Sequence, residues 1–356
     1  MATDTNLSIT STVQTFTRYR NPLLIGLTIL LVIWRIYESW PPEKIVIAAG
    51  PKGGFYDTTS LEIRSLLKTK GIRVEILNYT ETSKIIGDVN DLKSPVSLGF
   101  LAQKVEAGVY KNVMSLGSIM KDPLFIFQRP GLALTSPSEF RDLKIGVSPK
   151  NTGSRAITDI VLISYGILPD SANLIPLSLF EMQRAVEEGT IDVGFFLQPA
   201  TNSVVAGLGE RGLATLVQTE HAQSITKKYG HLSAVTIAKG SFSVIKNLPA
   251  KDTQMVAVPV TVIAKHDLHP AIVTAVALAL KEIVAPPTLI SVPGEFPSME
   301  IEHTFEDSSR AGEIFKLGTS NEPFLYRHLP FKVAGVLDSL TLILSVLVSV
   351  YVILLH

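Results

Sequence analysis

The stretch Ile45–Ser60, IVIAAGPKGGFYDTTS, is an apolar run that breaks at three glycines and restarts in a helix-like pattern. A strand that is apolar at every position has to be covered on both faces, which demands helices packed against a largely parallel sheet. The plan starts again at Lys144, in KIGVSPKNTGSRAITDIVLISYGI, without any repeat of the sequence itself. Short apolar runs closed by glycine or proline predict strands at Ile45–Ala49, Val74–Leu77, Ser97–Leu101, Val113–Ile119, Leu124–Gln128, Lys144–Val147, Ile175–Leu177, Val193–Leu197, Thr215–Gln218 and Met255–Ala264. Helices are expected at Tyr56–Leu67, Arg155–Tyr165, Glu181–Glu188 and Pro270–Val284. Such alternation implies an α/β fold with right-handed crossovers. Its two starts imply two lobes of about 100 to 120 residues. The expected boundaries are 43–142 for the first part of lobe one, 143–254 for lobe two and 255–330 for the return to lobe one with a C-terminal segment.

Two further segments read differently. From Pro22 to Trp34, PLLIGLTILLVIW is uncharged, with Arg18 and Arg20 before it and Arg35, Tyr37 and Trp40 behind it. At about 1.5 Å per residue this core reaches only roughly 20 Å, so a crossing needs the flanking aromatics and a snorkelling Arg35. RIYESWPPEK offers no small-residue cleavage site, which favours an uncleaved anchor over 22–40. Gly335–Leu355, GVLDSLTLILSVLVSVYVILL, carries one charge, Asp338, and is long enough to span. The expectation is an α/β fold flanked by transmembrane helices at 22–40 and 335–355, in a bacterial inner membrane. The main domain is then extracytoplasmic, and both termini, including a tail over 1–21, are cytoplasmic.

Composition removes several function classes. Acidic and basic side chains balance at 32 each, so nucleic acid, which needs a basic surface, is not an expected partner. With no cysteine, disulfides, thiolate catalysis and cysteine-ligated metal centres are excluded. His266-x-x-His269 has only Asp267 as a nearby acid and runs into Pro270, so no metal is expected. No Ser/His/Asp arrangement is legible, and no cofactor or catalytic residue is assigned.

The opening turn, Gly50-Pro51-Lys52-Gly53-Gly54-Phe55-Tyr56, lacks the lysine and hydroxyl residue that a nucleotide-hydrolase phosphate loop places after its last glycine. Its G-x-x-G-G spacing also departs from the dinucleotide fingerprint, although Glu75 stands about where a ribose-binding acid would. What the residues supply is backbone N–H groups at a helix start, which hold an anion without a catalytic group; a plain turn is the other reading. The second turn, Pro149-Lys150-Asn151-Thr152-Gly153-Ser154-Arg155, adds hydroxyl and amide donors and a guanidinium. Arginine opposes the helix dipole there, so Arg155 needs an anion or an acidic neighbour, and a bidentate grip on a carboxylate is one way to supply it.

In order and spacing, IAAGPKGGFYD, LGFLAQ (Leu98–Gln103), VSPKNTGSRAI (Val147–Ile157), EEGTIDVGFFLQPATN (Glu187–Asn202), LPAKDTQMVAVPVTVIAKHDLHP (Leu248–Pro270) and FLYRHLPFKVAGVLDSL (Phe324–Leu340) give the chain a likeness to a known family. It resembles the TAXI family of solute-binding proteins, the receptor subunits of a class of TRAP transporters, over residues 43 to 340. The resemblance implies a two-lobed, type II periplasmic-binding-protein fold, membrane-attached as in some members, and no enzymatic activity. It also implies a small carboxylate or amino acid such as glutamate as ligand and an ion-gradient-driven TRAP permease as partner. Carried over by position, it puts ligand contacts on Gly53, Gly54, Phe55, Tyr56, Thr82, Ser83, Gln103, Thr152, Gly153, Ser154, Arg155 and Gln198. Phe55 and Tyr56 can pack on the ligand's carbon chain or on the lobe core. For the ammonium of an amino acid, Asp57 and Glu81 are the candidate acceptors. Asn151, Thr152 and Ser154 replace three residues of the family's glycine-serine-glycine-threonine pattern, and Asn151 lacks glycine's backbone freedom. The rival readings are a two-lobed sensor or scaffold without a permease and a nucleotide-binding enzyme.

Overall fold

The computed structural model describes residue 30 and residues 33–340, apart from 104, 107, 171–172, 285, 302–303 and 318–321. The described residues fall into two compact units, one of residues 43–322 and one drawn from residues before 43 and after 322. In the first, strands and helices follow one another as β1 (Lys44–Ala49), α1 (Phe55–Thr69), β2 (Arg73–Asn78), α2 (Ile85–Asn90), β3 (Leu98–Leu101), β4 (Val113–Gln128) and β5 (Ile145–Val147). They continue as α3 (Gly153–Ser164), β6 (Leu174–Pro176), α4 (Leu179–Glu188), β7 (Val193–Leu197), α5 (Ser203–Arg211), β8 (Thr215–Val217) and α6 (Ala222–Lys228). The last elements are β9 (Ser233–Ile237), β10 (Thr253–Lys265), α7 (Pro270–Ile283), β11 (Glu306–Asp307) and α8 (Ser309–Lys316).

The main path through the sheet is β2-β1-β3-β10-β4-β7-β5-β6. β1 runs parallel to β2 and β3, and β5 runs parallel to β6 and β7, while β4 and β10 run against their neighbours. The result is an α/β fold of two lobes, with one parallel group of strands in each. Every residue of β3 and β7 is buried, as is β1 after Lys44, which is what apolar runs covered on both faces require. Ala271 to Ala277 of α7 are all buried, so this alanine-rich helix lies within the core.

β4 has 16 residues, which at about 3.3 Å per residue is roughly 50 Å of strand, enough to serve both lobes. It pairs with β10 as far as Pro123↔Ala257 and with β7 from Leu124↔Leu197 onward. The sequence predicts two strands here, 113–119 and 124–128, with Met120-Lys121-Asp122-Pro123 as a break; the structure runs one strand through them. Proline lacks an N–H, and Pro123 stands where the pairing partner changes, so its missing donor disrupts neither ladder.

The expectation of flanking transmembrane helices, and with it the inner-membrane location, is corrected. Among the described residues no helix is long and apolar enough to cross a membrane. The described start of the second expected span belongs to a helical stretch, 331–340, that buries Ala334, Gly335 and Val336 while Leu337 stays exposed. Asp338 accepts a hydrogen bond from the Tyr326 hydroxyl at 3.1 Å, with Tyr326 in the short helix α9 (Phe324–His328). This start is one-sided and tied by a polar contact, unlike a uniformly lipid-facing surface. The remainder of both expected spans, 22–29, 31–32 and 341–355, and the tail 1–21 lie outside the described residues.

Candidate functional site

Each parallel group ends in a turn that delivers a helix N-terminus, β1 into α1 and β5 into α3. In open α/β sheets ligands bind beyond these strand ends.

The first turn is built around Asp57. Gly53, at φ +75°, adopts a conformation that side chains disfavour, and this lets its N–H donate to Asp57 Oδ2 at 2.8 Å. The Asn78 amide donates to Asp57 Oδ1 at 2.8 Å and to the Gly50 carbonyl at 2.9 Å. These donors, the Gly53 N–H first and the Asn78 amide second, hold the Asp57 carboxyl below its ordinary pKa. Gly54, the N-cap of α1, brings no side-chain cap, so the first-turn N–H groups are not answered by a capping side chain. Tyr56 stacks on Phe100 of β3, with ring centroids 5.0 Å apart, and Phe55 meets Tyr56 edge-on at 6.1 Å. Desolvation, and then the charge of Asp122, push the Tyr56 phenol well above its ordinary pKa.

The second turn satisfies itself. The Thr152 hydroxyl accepts from the Arg155 N–H at 3.1 Å and donates to the Pro149 carbonyl at 2.8 Å. Asn151 takes φ +65°, a left-handed conformation that asparagine tolerates, so the residue replacing glycine keeps the turn. Ser148 donates to the Ser154 hydroxyl at 2.9 Å. Arg155 is buried, and its guanidinium is committed: Nε donates to Asp159 at 2.7 Å, and the terminal nitrogen to the Pro169 carbonyl at 2.6 Å. The acidic neighbour at i+4, one of the two compensations the dipole argument allows, is the one the structure contains.

The two lobes meet at these residues. The Gly153 N–H donates a long hydrogen bond, 3.4 Å, to the Thr82 hydroxyl, and the Ser83 hydroxyl donates to the Asn151 carbonyl at 3.2 Å. A Cβ at Gly153 would stand 3.2 Å from the Ala102 carbonyl oxygen, so the approach of the α3 start to the end of β3 depends on glycine. Gln103, next in the chain, forms no hydrogen bond with a described residue. Gln198 follows β7; its N–H donates to the Pro123 carbonyl at 3.4 Å, and its side-chain oxygen accepts from Asn202 at 3.1 Å. Glu81 pairs with Lys84 at 3.2 Å, and both side chains are largely exposed. Of the residues picked from the sequence, Thr82, Ser83 and Gly153 are joined directly across the lobes, whereas Arg155, Asp57 and Glu81 are engaged within their own lobe.

Asp122 went unnoticed in the sequence. It is 5% exposed, and its Oδ1 has no hydrogen-bond partner among the described residues. It stands on β4 immediately before the switch from β10 to β7, and its charge reaches Tyr56 of α1. Desolvation pushes its carboxyl up to about 7. An acid raised in this way costs the folded state progressively more as pH climbs from the ordinary carboxylate range towards about 7, and the cost levels off above that. The legible signal was a charged pair inside an apolar run, VMSLGSIMKDPLFIFQ.

A sequence model described as the NMT1-like family matches residues 96–309. No curated protein matches the sequence. Among solved structures, the chain is similar to the periplasmic aliphatic sulphonate binding protein SsuA from Escherichia coli, at 12% identity and TM-score 0.44 over 68% of this chain and 69% of that one. It is also similar to a protein from Bordetella bronchiseptica RB50, at 16% identity and TM-score 0.44 over 84% and 89% of the two chains. A third likeness is to the AvGluR1 ligand-binding domain in complex with phenylalanine, at 15% identity and TM-score 0.43 over 68% and 92%.

Proposed function

The chain belongs to the NMT1-like family, and from that premise we propose that it is a solute-binding receptor that captures a small ligand between its two lobes. The observation that carries the reading is the junction itself. Thr82 and Ser83 from lobe one meet residues 151–153 of lobe two beside the α1 N-terminus, which no side chain caps. Contacts from both lobes give a closed state its differential affinity for a ligand, the requirement for capture by closure. The finer reading is a TAXI-type receptor of type II architecture that delivers a small carboxylate or amino acid to a TRAP-type permease, and the ordered motifs from residue 43 to 340 support it.

The test is a thermal-shift screen of the full chain against small carboxylates, sulfonates, amino acids and nucleotides. A true ligand at 100 times its dissociation constant adds about 2.7 kcal/mol of stability. Stabilisation by a compound of the first three classes is the expected result, and a response to nucleotides alone overturns the reading.

A further inference from the structure

β4 and β10 both run from one lobe into the other. β10 pairs with β9 over Thr253–Ala257 and with β3 over Thr261–Ala264, and β4 changes partner after Pro123. Between those ends their shared ladder is imperfect. Pro259 of β10, which has no N–H to donate, stands opposite Lys121, and the register slips between Val260 and Thr261 and again between Thr261 and Ile263. A ladder interrupted at one level in both connecting strands is where two lobes can turn against each other.

A third segment crosses at that level. Residues 288–300 lie against β4: Ser118 and Ser298 exchange backbone hydrogen bonds of 2.8 and 2.9 Å. A Cβ on Gly117 would stand 3.0 Å from the Ser298 carbonyl oxygen and 2.9 Å from Met299 Sδ, so the approach needs glycine. Upstream, Ile290 packs on the lobe-two core that contains Phe125 and Phe127. Downstream, Phe305 is buried in the lobe-one core with Val46 and Ile263. The segment is thus fastened to both lobes. Midway, Glu295 Oε1 accepts from Lys121 Nζ at 2.8 Å, while Oε2 accepts from the Val292 N–H at 3.2 Å and closes the turn at Pro293-Gly294. Lys121 also lies over the Phe296 ring, and the paired side chains are only 21% and 24% exposed, so solvent screens the pair in part.

We propose that residues 288–300 are a strap over the hinge and that the Lys121–Glu295 pair is its clasp, holding the lobes in the state in which Thr82 and Ser83 meet residues 151–153. A strap tied to both lobes slides along β4 when they rotate, and sliding parts the pair. An attraction made in one state and lost in the other shifts the balance between them by its own free energy. Because the attraction is ionic, salt weakens it, and the lobe balance becomes sensitive to ionic strength. This goes beyond the receptor reading, since it describes lobe movement with no ligand present and is decided without the ligand screen.

Pulsed electron paramagnetic resonance on the full, ligand-free chain tests this. The sequence has no cysteine, so spin labels go only to cysteines introduced at Lys84 and Lys150, the exposed neighbours of Ser83 and Asn151. Glu295→Gln keeps an acceptor for the Val292 N–H and removes the charge; it should lower the ratio of short- to long-distance populations by about fivefold or more. The double exchange Lys121→Glu with Glu295→Lys should restore the ratio to within about twofold of the unmodified pair. Raising salt from about 0.05 to 1 M should shift the unmodified pair in the same direction as Glu295→Gln and leave the Glu295→Gln chain unmoved. A distance distribution that ignores both the substitution and the salt overturns the clasp, even if unfolding stability falls, because a purely structural pair would act on stability alone. Failure of the double exchange to restore the ratio also overturns it. If Glu295→Gln does not fold, judged by circular dichroism, Lys121→Met and the salt series decide.

Discussion

At the first turn, residues 50–57, the start of a helix is left without a side-chain cap, and the turn is held from behind by Asp57, which reaches back to the Gly53 N–H. At the second, residues 149–155, Thr152 caps the helix, Arg155 turns inward to Asp159, and the Gly153 N–H crosses to Thr82 of the other lobe. The two share the plan of strand, turn and helix but divide the work. The first leaves its backbone donors without a capping side chain, and the second spends its own on internal order and on a contact between the lobes. A helix N-terminus binds an anion only while its N–H groups are unspent, so under the proposed receptor reading the same local fold serves as a binding jaw in one place and a latch in the other.

Crowding the latch should break this division most severely. Gly153→Leu drives a side chain into a space where even a Cβ stands 3.2 Å from the Ala102 carbonyl. Closure should be lost at a cost of about 3 kcal/mol, weakening ligand affinity by roughly 100-fold and increasing the radius of gyration in solution scattering. Unchanged affinity would show that the lobes do not need this contact. Arg155→Ala separates stability from binding. It removes one partner of a pair in which Asp159 keeps some exposure, so unfolding stability should drop by about 2 kcal/mol while affinity stays within about threefold. A large affinity loss without destabilisation would return the guanidinium to the ligand.

A smaller effect is expected at the first turn. Asp57→Ala strips the Gly53 N–H and the Asn78 amide of their shared acceptor and should cost about 1–2 kcal/mol in chemical denaturation at pH 7. Because the folded-state pKa of Asp57 is depressed, its contribution is present above the ordinary carboxylate pKa and is lost as pH falls through the lower folded value. The gap between wild type and variant should therefore narrow on acidification. A gap that stays constant would mean the carboxylate is not what holds the turn.

The strand-and-helix plan was legible because strands covered on both faces carry unbroken apolar runs; β1, β3, β7 and β10 fall on predicted runs, as do α1, α3, α4 and α7. β9, Ser233–Ile237, was missed because three of its five residues are polar or small and only Ile237 is fully buried, so no apolar run marks it. The short helices α2, α5 and α6 lack the length over which a helical period becomes readable. β4 was cut in two because Lys121-Asp122-Pro123 carries the chemistry of a turn. That cut hid Asp122, since a residue assigned to a loop raises no question about burial. The meeting of Thr82 with Gly153 was reachable only through motif resemblance, because the residues lie 71 positions apart and no periodicity links them. The partner of Arg155, by contrast, was visible four residues along as Asp159, a spacing that joins side chains on any helix.

Amide hydrogen exchange by NMR, with and without a ligand found in the screen, tests the division between jaw and latch most directly. Ligand should slow exchange at Phe55, Tyr56 and Asp57 by about tenfold or more and leave the Arg155 amide, already held by Thr152, unchanged. Protection that appears at Arg155 and bypasses Phe55–Asp57 would contradict the account.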